Sequence, residues 1–204
     1  MTPLDTLIKQ FERFPGIGSR QARRFAFHIL TLSHEEVSQL AHLIQTVHSQ
    51  VIPCPSCFRF HTSVSGDTRC SICRDSSRDI HKLTIVERDS DVDAIERGGV
   101  YDGLYFVLGG MVPLLDSQDT KKVRGGALKH TIETRIPQGL REVILAFSIN
   151  PDGENTGRYI SMLLNESIAS NAITITHLGR GLSTGSELEY ADSETIKNAF
   201  KNRS

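Results

Sequence analysis

The chain has 204 residues, a formal net charge of −1, 38% hydrophobic and 23% charged residues. That length suits a small module followed by a larger domain, and the lack of an apolar run of about 18 residues excludes a transmembrane helix and points to a cytoplasmic globular protein without membrane contact. A near-neutral total leaves nucleic-acid binding open, because what counts there is where the charge lies.

The first fifty residues read as helices only. Asp5 to Phe14 is a short amphipathic segment with Leu4, Leu7, Ile8 and Phe11 at helical spacing, stopped by Phe14-Pro15-Gly16-Ile17-Gly18. Ser19 can cap a second helix whose Ala22, Phe25, Ala26, Ile29 and Leu30 follow the i, i+3, i+4, i+7 pattern and should face the core. Its other side carries Arg20, Arg23 and Arg24, close to a helix N-terminus that already favours anions. Ser33 and Glu36 form a capping-box signature for a third helix with Val37, Leu40, Ala41, Ile44 and Val47 in one stripe.

Two short helices joined by an apolar-Gly-apolar-Gly loop resemble the helix-hairpin-helix arrangement. Glycines at Gly16 and Gly18 let backbone N–H groups approach a phosphate oxygen while Ile17 packs between them. Such a loop holds the DNA backbone without reading bases, so the binding it implies is non-sequence-specific and salt-sensitive. The plainer reading is an ordinary turn beside a solvated basic face.

All four cysteines lie within twenty residues, as Cys54-Pro-Ser-Cys57 and Cys70-Ser-Ile-Cys73. Each C-x-x-C turn aims two sulfurs at one point, and four thiolates enclose one tetrahedral Zn(2+) with no position left for water. Such an ion holds structure and does not catalyse. The alternatives are disulfides, a redox pair or unrelated core thiols. Disulfides belong to secreted chains, and Met1-Thr-Pro-Leu-Asp-Thr-Leu-Ile carries no apolar leader. His61 and His81 read as surface or supporting histidines, because the sulfurs already fill the shell.

Beyond Cys73 strands and helices alternate. Strands are expected over 83–87, 105–109, 142–147 and 173–177, and helices over 91–97, 121–134, 156–170 and 193–202. This is an α/β domain with a mainly parallel sheet, and the loops after its strands should gather at one edge. Glu87 ends the first strand and Asp152-Gly-Glu154 follows the third. Three carboxylates there could coordinate Mg(2+), and a metal-free acidic patch fits equally well. The set resembles that of the Toprim domain of topoisomerases, bacterial primases and some nucleases, except that Asp152-x-Glu154 stands where Asp-x-Asp is usual. Tyr101, Tyr105, Tyr159 and Tyr190 read as packing or edge residues, not as DNA-attacking nucleophiles.

In this order of parts the chain resembles the RecR family of bacterial recombination mediators over nearly its whole length. The resemblance rests on Phe14 to His28, the cysteine pairs followed by Arg74-Asp75 and Arg78, Ile85-Val-Glu87, Tyr101-Asp-Gly-Leu-Tyr105, Leu108-Gly-Gly110, Pro113-Leu-Leu-Asp116, Gly153-Glu154 and the tail from Gly181 to Asp192. The tail departs from the usual Gly-Leu-Pro-Val-Gly-Gly at Ser183, Thr184 and Ser186. The resemblance implies a helix-hairpin-helix region over 1–52, a four-cysteine zinc finger over 53–78, a Toprim domain over 79–176 and a C-terminal segment over 177–204 that packs on or exchanges with a neighbouring subunit.

It also implies a DNA-binding repair accessory without a catalytic cycle, nucleoid-associated during repair. Such proteins form homodimers and ring-like homotetramers that act with RecO and RecF to load RecA on gapped single-stranded DNA. Carried over, Gly16, Ile17, Gly18, Arg20 and Arg24 face phosphate, and Glu87, Asp152 and Glu154 line a partner-facing acidic edge. One alternative is a magnesium-dependent Toprim nuclease or primase-like enzyme using Glu87, Asp152 and Glu154. The other is a zinc-stabilised interaction module that never touches DNA.

Overall fold

In the computed structural model of the chain, the described residues are 1–63, 66–115, 120, 123–179, 189, 191 and 193–201, less the side chains of 169, 194 and 201. They fall into two compact units, Met1–Val51 and Ile52–Ser204.

The first unit is helical. Helix α1 (Pro3–Glu12) starts at a capping box in which the Asp5 N–H donates to Thr2 Oγ1 and the Thr2 N–H donates to Asp5 Oδ2, with proline at the first helical position. Helix α2 (Ser19–Thr31) is capped by Gly18, so Ser19 is its first helical residue and not the cap. The Gly18 carbonyl accepts from the Gln21 and Ala22 N–H groups, each at 2.9 Å. Only Ala22 and Ala26 of the predicted α2 face are buried, while Phe25 and Leu30 stay exposed. The side-chain-poor alanine line lets α1 come close, with the Phe11 ring edge-on to Phe25 at 6.0 Å. Helix α3 (His34–Gln50) has the expected Ser33–Glu36 capping box. Its stripe of Leu40, Ile44 and Val47 remains exposed.

At the boundary between the units comes a two-stranded sheet of β1 (Val51–Pro53), whose first residue belongs to the first unit, and β2 (Phe60–Thr62), followed by the short helix α4 (Ser71–Arg74). Then come β3 (Asp79–Val86), α5 (Asp89–Gly98), β4 (Gly103–Val107), α6 (Gly125–Arg135), a 3-10 turn at Ile136–Gln138, β5 (Glu142–Ala146), α7 (Pro151–Asn171), β6 (Thr174–His177) and α8 (Ser193–Lys201). The four long-range strands form one sheet in the order β4-β3-β5-β6, every pair parallel. Ile85 stands between Phe106 and Leu145, and Leu83 between Leu104 and Val143.

All five residues of β4 are buried, as are the last four of β3, because a parallel sheet with helices on both faces has no wet side. Leu128 and Ile132 of α6 and Ile160 and Leu164 of α7 supply the helical side of this core, each fully buried. Among the described residues no helix is long and apolar enough to cross a membrane.

Two elements differ from expectation in ways that matter to the site. Helix α6 begins at Gly125, later than the expected 121, of which residues 121 and 122 lie outside the described residues. Helix α7 begins at Pro151 and not at Thr156, because Asn150 caps it through Oδ1 accepting from the Gly153 N–H at 2.7 Å. Asp152 and Glu154 therefore occupy the first turn of a helix.

Candidate metal centre and nucleic-acid interface

The four cysteines converge. Their Sγ atoms all lie within 4.8 Å of one another, and Cys57 and Cys70 are 3.6 Å apart. A tetrahedral zinc shell with Zn–S bonds of about 2.3 Å separates its sulfurs by roughly 3.8 Å, so the donor set fits that ion. No disulfide joins them, and Cys54, Cys57 and Cys70 are 0%, 1% and 1% exposed. Cys54 Sγ also accepts the Cys70 backbone N–H at 3.4 Å, the kind of bond that steadies a thiolate ligand.

Crowding shifts the thiols in opposite directions. The close approach of the other three sulfurs lowers the Cys54 thiol below its ordinary range and raises Cys57 above it. His61 and His81 stand apart from the group, with ring nitrogens on the Thr68 and Gly139 carbonyls at 2.8 and 2.5 Å.

The first knuckle is stitched into the parallel sheet. The Val107 N–H, at the end of β4, donates to the Cys57 carbonyl at 2.8 Å. Phe58 adopts φ +62, rare for a residue with a side chain, and this turns its ring onto Phe106 at 5.3 Å. The Arg124 guanidinium lies over the same ring at 5.4 Å and donates through Nη1 to the Val107 carbonyl at 2.9 Å. Arg59 pairs with Asp93 of α5, and the Phe60 N–H donates to Asp89 Oδ1 at 2.6 Å. Phe58 and Arg124 carry no motif, and sequence reasoning missed them.

In the hairpin, Gly16 has φ +76 with nothing within 4 Å of where a Cβ would stand, so glycine is required by the backbone and not by crowding. Gly16, Gly18, Arg20 and Arg24 are exposed, and Ile17 is half-buried. Gly18 has no side chain to cap α2, which leaves the first N–H groups of that helix without a side-chain acceptor. Neither Arg20 nor Arg24 joins an ion pair among the described residues.

The three carboxylates are less closely gathered than the cysteines. Glu87 is 14% exposed in its side chain and pairs with Arg88 at 2.5 Å, lining a hollow with Gly109, Gly110 and Arg124. Asp152 Oδ1 accepts the Leu114 N–H at 2.9 Å. Glu154 borders a separate cleft of about 590 Å³ beyond β5 and β6. Among the described residues the four cysteines are the one group of acidic, thiol or imidazole side chains placed to hold a metal. Gly153 between the two acids is forced, since a Cβ there would stand 2.0 Å from the Ser148 carbonyl oxygen.

The tyrosines are structural where they are described. Tyr105 is buried and donates to Glu96 at 2.6 Å, Tyr101 donates to the Leu104 carbonyl at 3.0 Å, and the Tyr159 hydroxyl packs on Gly125. Tyr190, Asp116 and most of the tail, including Ser183, Thr184 and Ser186, lie outside the described residues.

Residues 4–48 match the family described as RecR, helix-hairpin-helix, residues 81–178 the Toprim domain, and residues 181–204 the family described as RecR, C-terminal. The chain is 38% identical to the Recombination protein RecR of Cutibacterium acnes, over 98% of this chain and 94% of that protein. The chain belongs to the RecR family. Recombination protein RecR of Chlorobium phaeobacteroides is 36% identical over 100% of this chain and 97% of its own length, and that of Rubrobacter xylanophilus 37% over 98% and 95%. Within this RecR-family chain the helix-hairpin-helix match covers α1 to most of α3, and the Toprim match runs from β3 to just past β6. The cysteine knuckles lie between the two matches.

Proposed function

We propose that this chain is a DNA-binding accessory factor of recombinational repair that grips the nucleic-acid backbone and catalyses no reaction of its own. The exposed Gly16–Gly18 loop carries this reading: it presents N–H groups of α2 that no side chain caps, beside Arg20 and Arg24, which join no ion pair among the described residues. Gly16, Gly18, Arg20 and Arg24 hold phosphate, and half-buried Ile17 fixes the loop. Cys54, Cys57, Cys70 and Cys73 bind zinc as a closed structural site that shapes the knuckle against β4.

Glu87, Asp152 and Glu154 form the partner-facing acidic edge. The engagement of Glu87 by Arg88 and of Asp152 by the Leu114 N–H supports recognition over a shared catalytic metal. The chain acts as a homodimer or homotetramer enclosing DNA, with 177–204 packing on or exchanging with a neighbouring subunit, and works with RecO and RecF to load RecA on gapped DNA. One hairpin binds weakly, but several in one assembly act at high effective concentration.

Replacing Arg20 and Arg24 together by Glu should weaken single-stranded DNA binding about tenfold or more and flatten its salt dependence by roughly two phosphate contacts. Unchanged affinity would remove the hairpin from the interface. Magnesium-dependent DNA cleavage abolished by Glu87→Gln would replace the accessory role by an enzyme.

A further inference from the structure

Between the cysteine knuckles, the start of β3 and the last turns of α6 lies a cleft of about 410 Å³. Its wall includes Arg69, Arg135, His130, Ser56, Thr131 and Thr134, and no carboxylate. We propose that this cleft binds a phosphate group, with the two guanidiniums as charged donors and the Ser56 and Thr131 hydroxyls as neutral ones.

Arg135 differs from the other half-buried arginines in its partners. Four arginines are half-buried among the described residues: Arg59, Arg78, Arg124 and Arg135. Arg59 pairs with Asp93, Arg78 with Glu96, and Arg124 with the Val107 carbonyl and the Phe58 ring. The Arg135 side chain has no hydrogen bond or ion pair among the described residues, and none of its nitrogens is a buried atom without a partner, so its donors face the solvent of the cleft and are open to a ligand. A planar fork of this kind is complementary to an oxyanion held by two parallel bonds.

The C-terminal end of α6, which disfavours an anion, borders the cleft, and three of its carbonyls are already engaged. Arg135 O accepts from the Leu140 N–H at 3.2 Å, Ile136 O from Gly139 at 3.0 Å, and His130 O from the Thr134 hydroxyl at 2.9 Å. The competing demand on these cations comes from the metal centre. Cys73 forms part of the wall, and a zinc ion with four thiolates carries a net charge of about −2. Arg69 is also 3.7 Å from Asp67. Countercharge to the thiolates is therefore the rival use of the same side chains.

The ligand is either the phosphodiester backbone of DNA, which rests on the DNA-binding reading above, or a free phosphate compound. The full-length zinc-loaded chain is titrated with inorganic pyrophosphate by calorimetry and with a single-stranded oligonucleotide by fluorescence anisotropy, alongside Arg135→Gln, Arg69→Gln and the Arg20/Arg24 double Glu variant. Arg135→Gln should weaken pyrophosphate binding about tenfold with bound zinc unchanged, and the hairpin variant should bind pyrophosphate like the parent.

If Arg135→Gln also weakens oligonucleotide binding, the cleft holds DNA backbone; if it leaves that binding intact, the ligand is a free phosphate compound. A parent that takes up pyrophosphate and no oligonucleotide refutes DNA binding and leaves the cleft standing. No pyrophosphate binding by the parent, or equal binding by Arg135→Gln, overturns the proposal. Loss of zinc in the arginine variants overturns it in favour of countercharge.

Discussion

Phe58→Ala and Phe58→Gly should rank in the reverse of the usual order for these two residues. Both delete a ring packed against Phe106 at 5.3 Å and covered by Arg124 at 5.4 Å. Full burial would make a Phe→Ala change cost ~3–5 kcal/mol. Phe58 is half-buried, so about 3 kcal/mol is expected, including the ring pair and cation contact. The backbone separates the two variants. At φ +62 alanine keeps the left-handed strain of roughly 1 kcal/mol or more, which glycine does not have. Phe58→Gly should therefore be about 1 kcal/mol more stable than Phe58→Ala, although glycine is ordinarily the worse of the two. In a chain of this size that gap is roughly 2–4 °C in Tm. Urea and thermal unfolding followed by circular dichroism, with zinc present throughout, would measure it. A glycine variant no more stable than the alanine variant would show that the knuckle does not hold Phe58 left-handed. Two variants as stable as the parent would show that the ring bears no packing load.

Removing zinc with a strong chelator, or replacing Cys57 by Ser, should lower the melting temperature before it alters any surface contact, since metal binding contributes directly to folding free energy. Unchanged melting with fully removed metal would refute a structural site. The Glu96 carboxylate is held below its ordinary range chiefly by the Arg78 hydrogen bond, with Tyr105 also donating to it. A lowered folded-state value means that its stabilisation is fully present above the unfolded value near 4.5 and disappears as pH falls through the folded value. The stability gap between parent and Glu96→Gln, followed by denaturant titration from neutral pH downward, should accordingly shrink below about pH 4.5. A gap that widens in acid would reverse the sign of the linkage.

The cysteine cluster was legible because spacing alone fixes where four sulfurs can meet. The parallel sheet was legible because its buried strands are continuous apolar runs such as Leu104 to Leu108. Strand limits were harder: β3 begins at Asp79 because Asp79, Ile80, His81 and Lys82 form an irregular, partly exposed start that carries no apolar run. The α7 start had a signal in Asn150-Pro151 and the two acids that follow, outweighed by Gly153 and Gly157. Periodicity marked the α3 stripe as apolar, yet Leu40, Ile44 and Val47 remain exposed, since a period identifies a face and not what covers it. Phe58, Arg124 and Arg135 gave no signal, because their roles arise from contacts between residues far apart in sequence.

The bond between Cys57 and Val107 also bears on how the molecule is made. Phe58 and Phe106 are 48 positions apart (106 − 58), and Arg124 comes later still. A growing polypeptide thus displays all four sulfur ligands well before the wall that braces their first turn has been synthesised. The first cysteine turn therefore gains its final backing only when the central strands have been made, well after the last of the four thiols has left the ribosome.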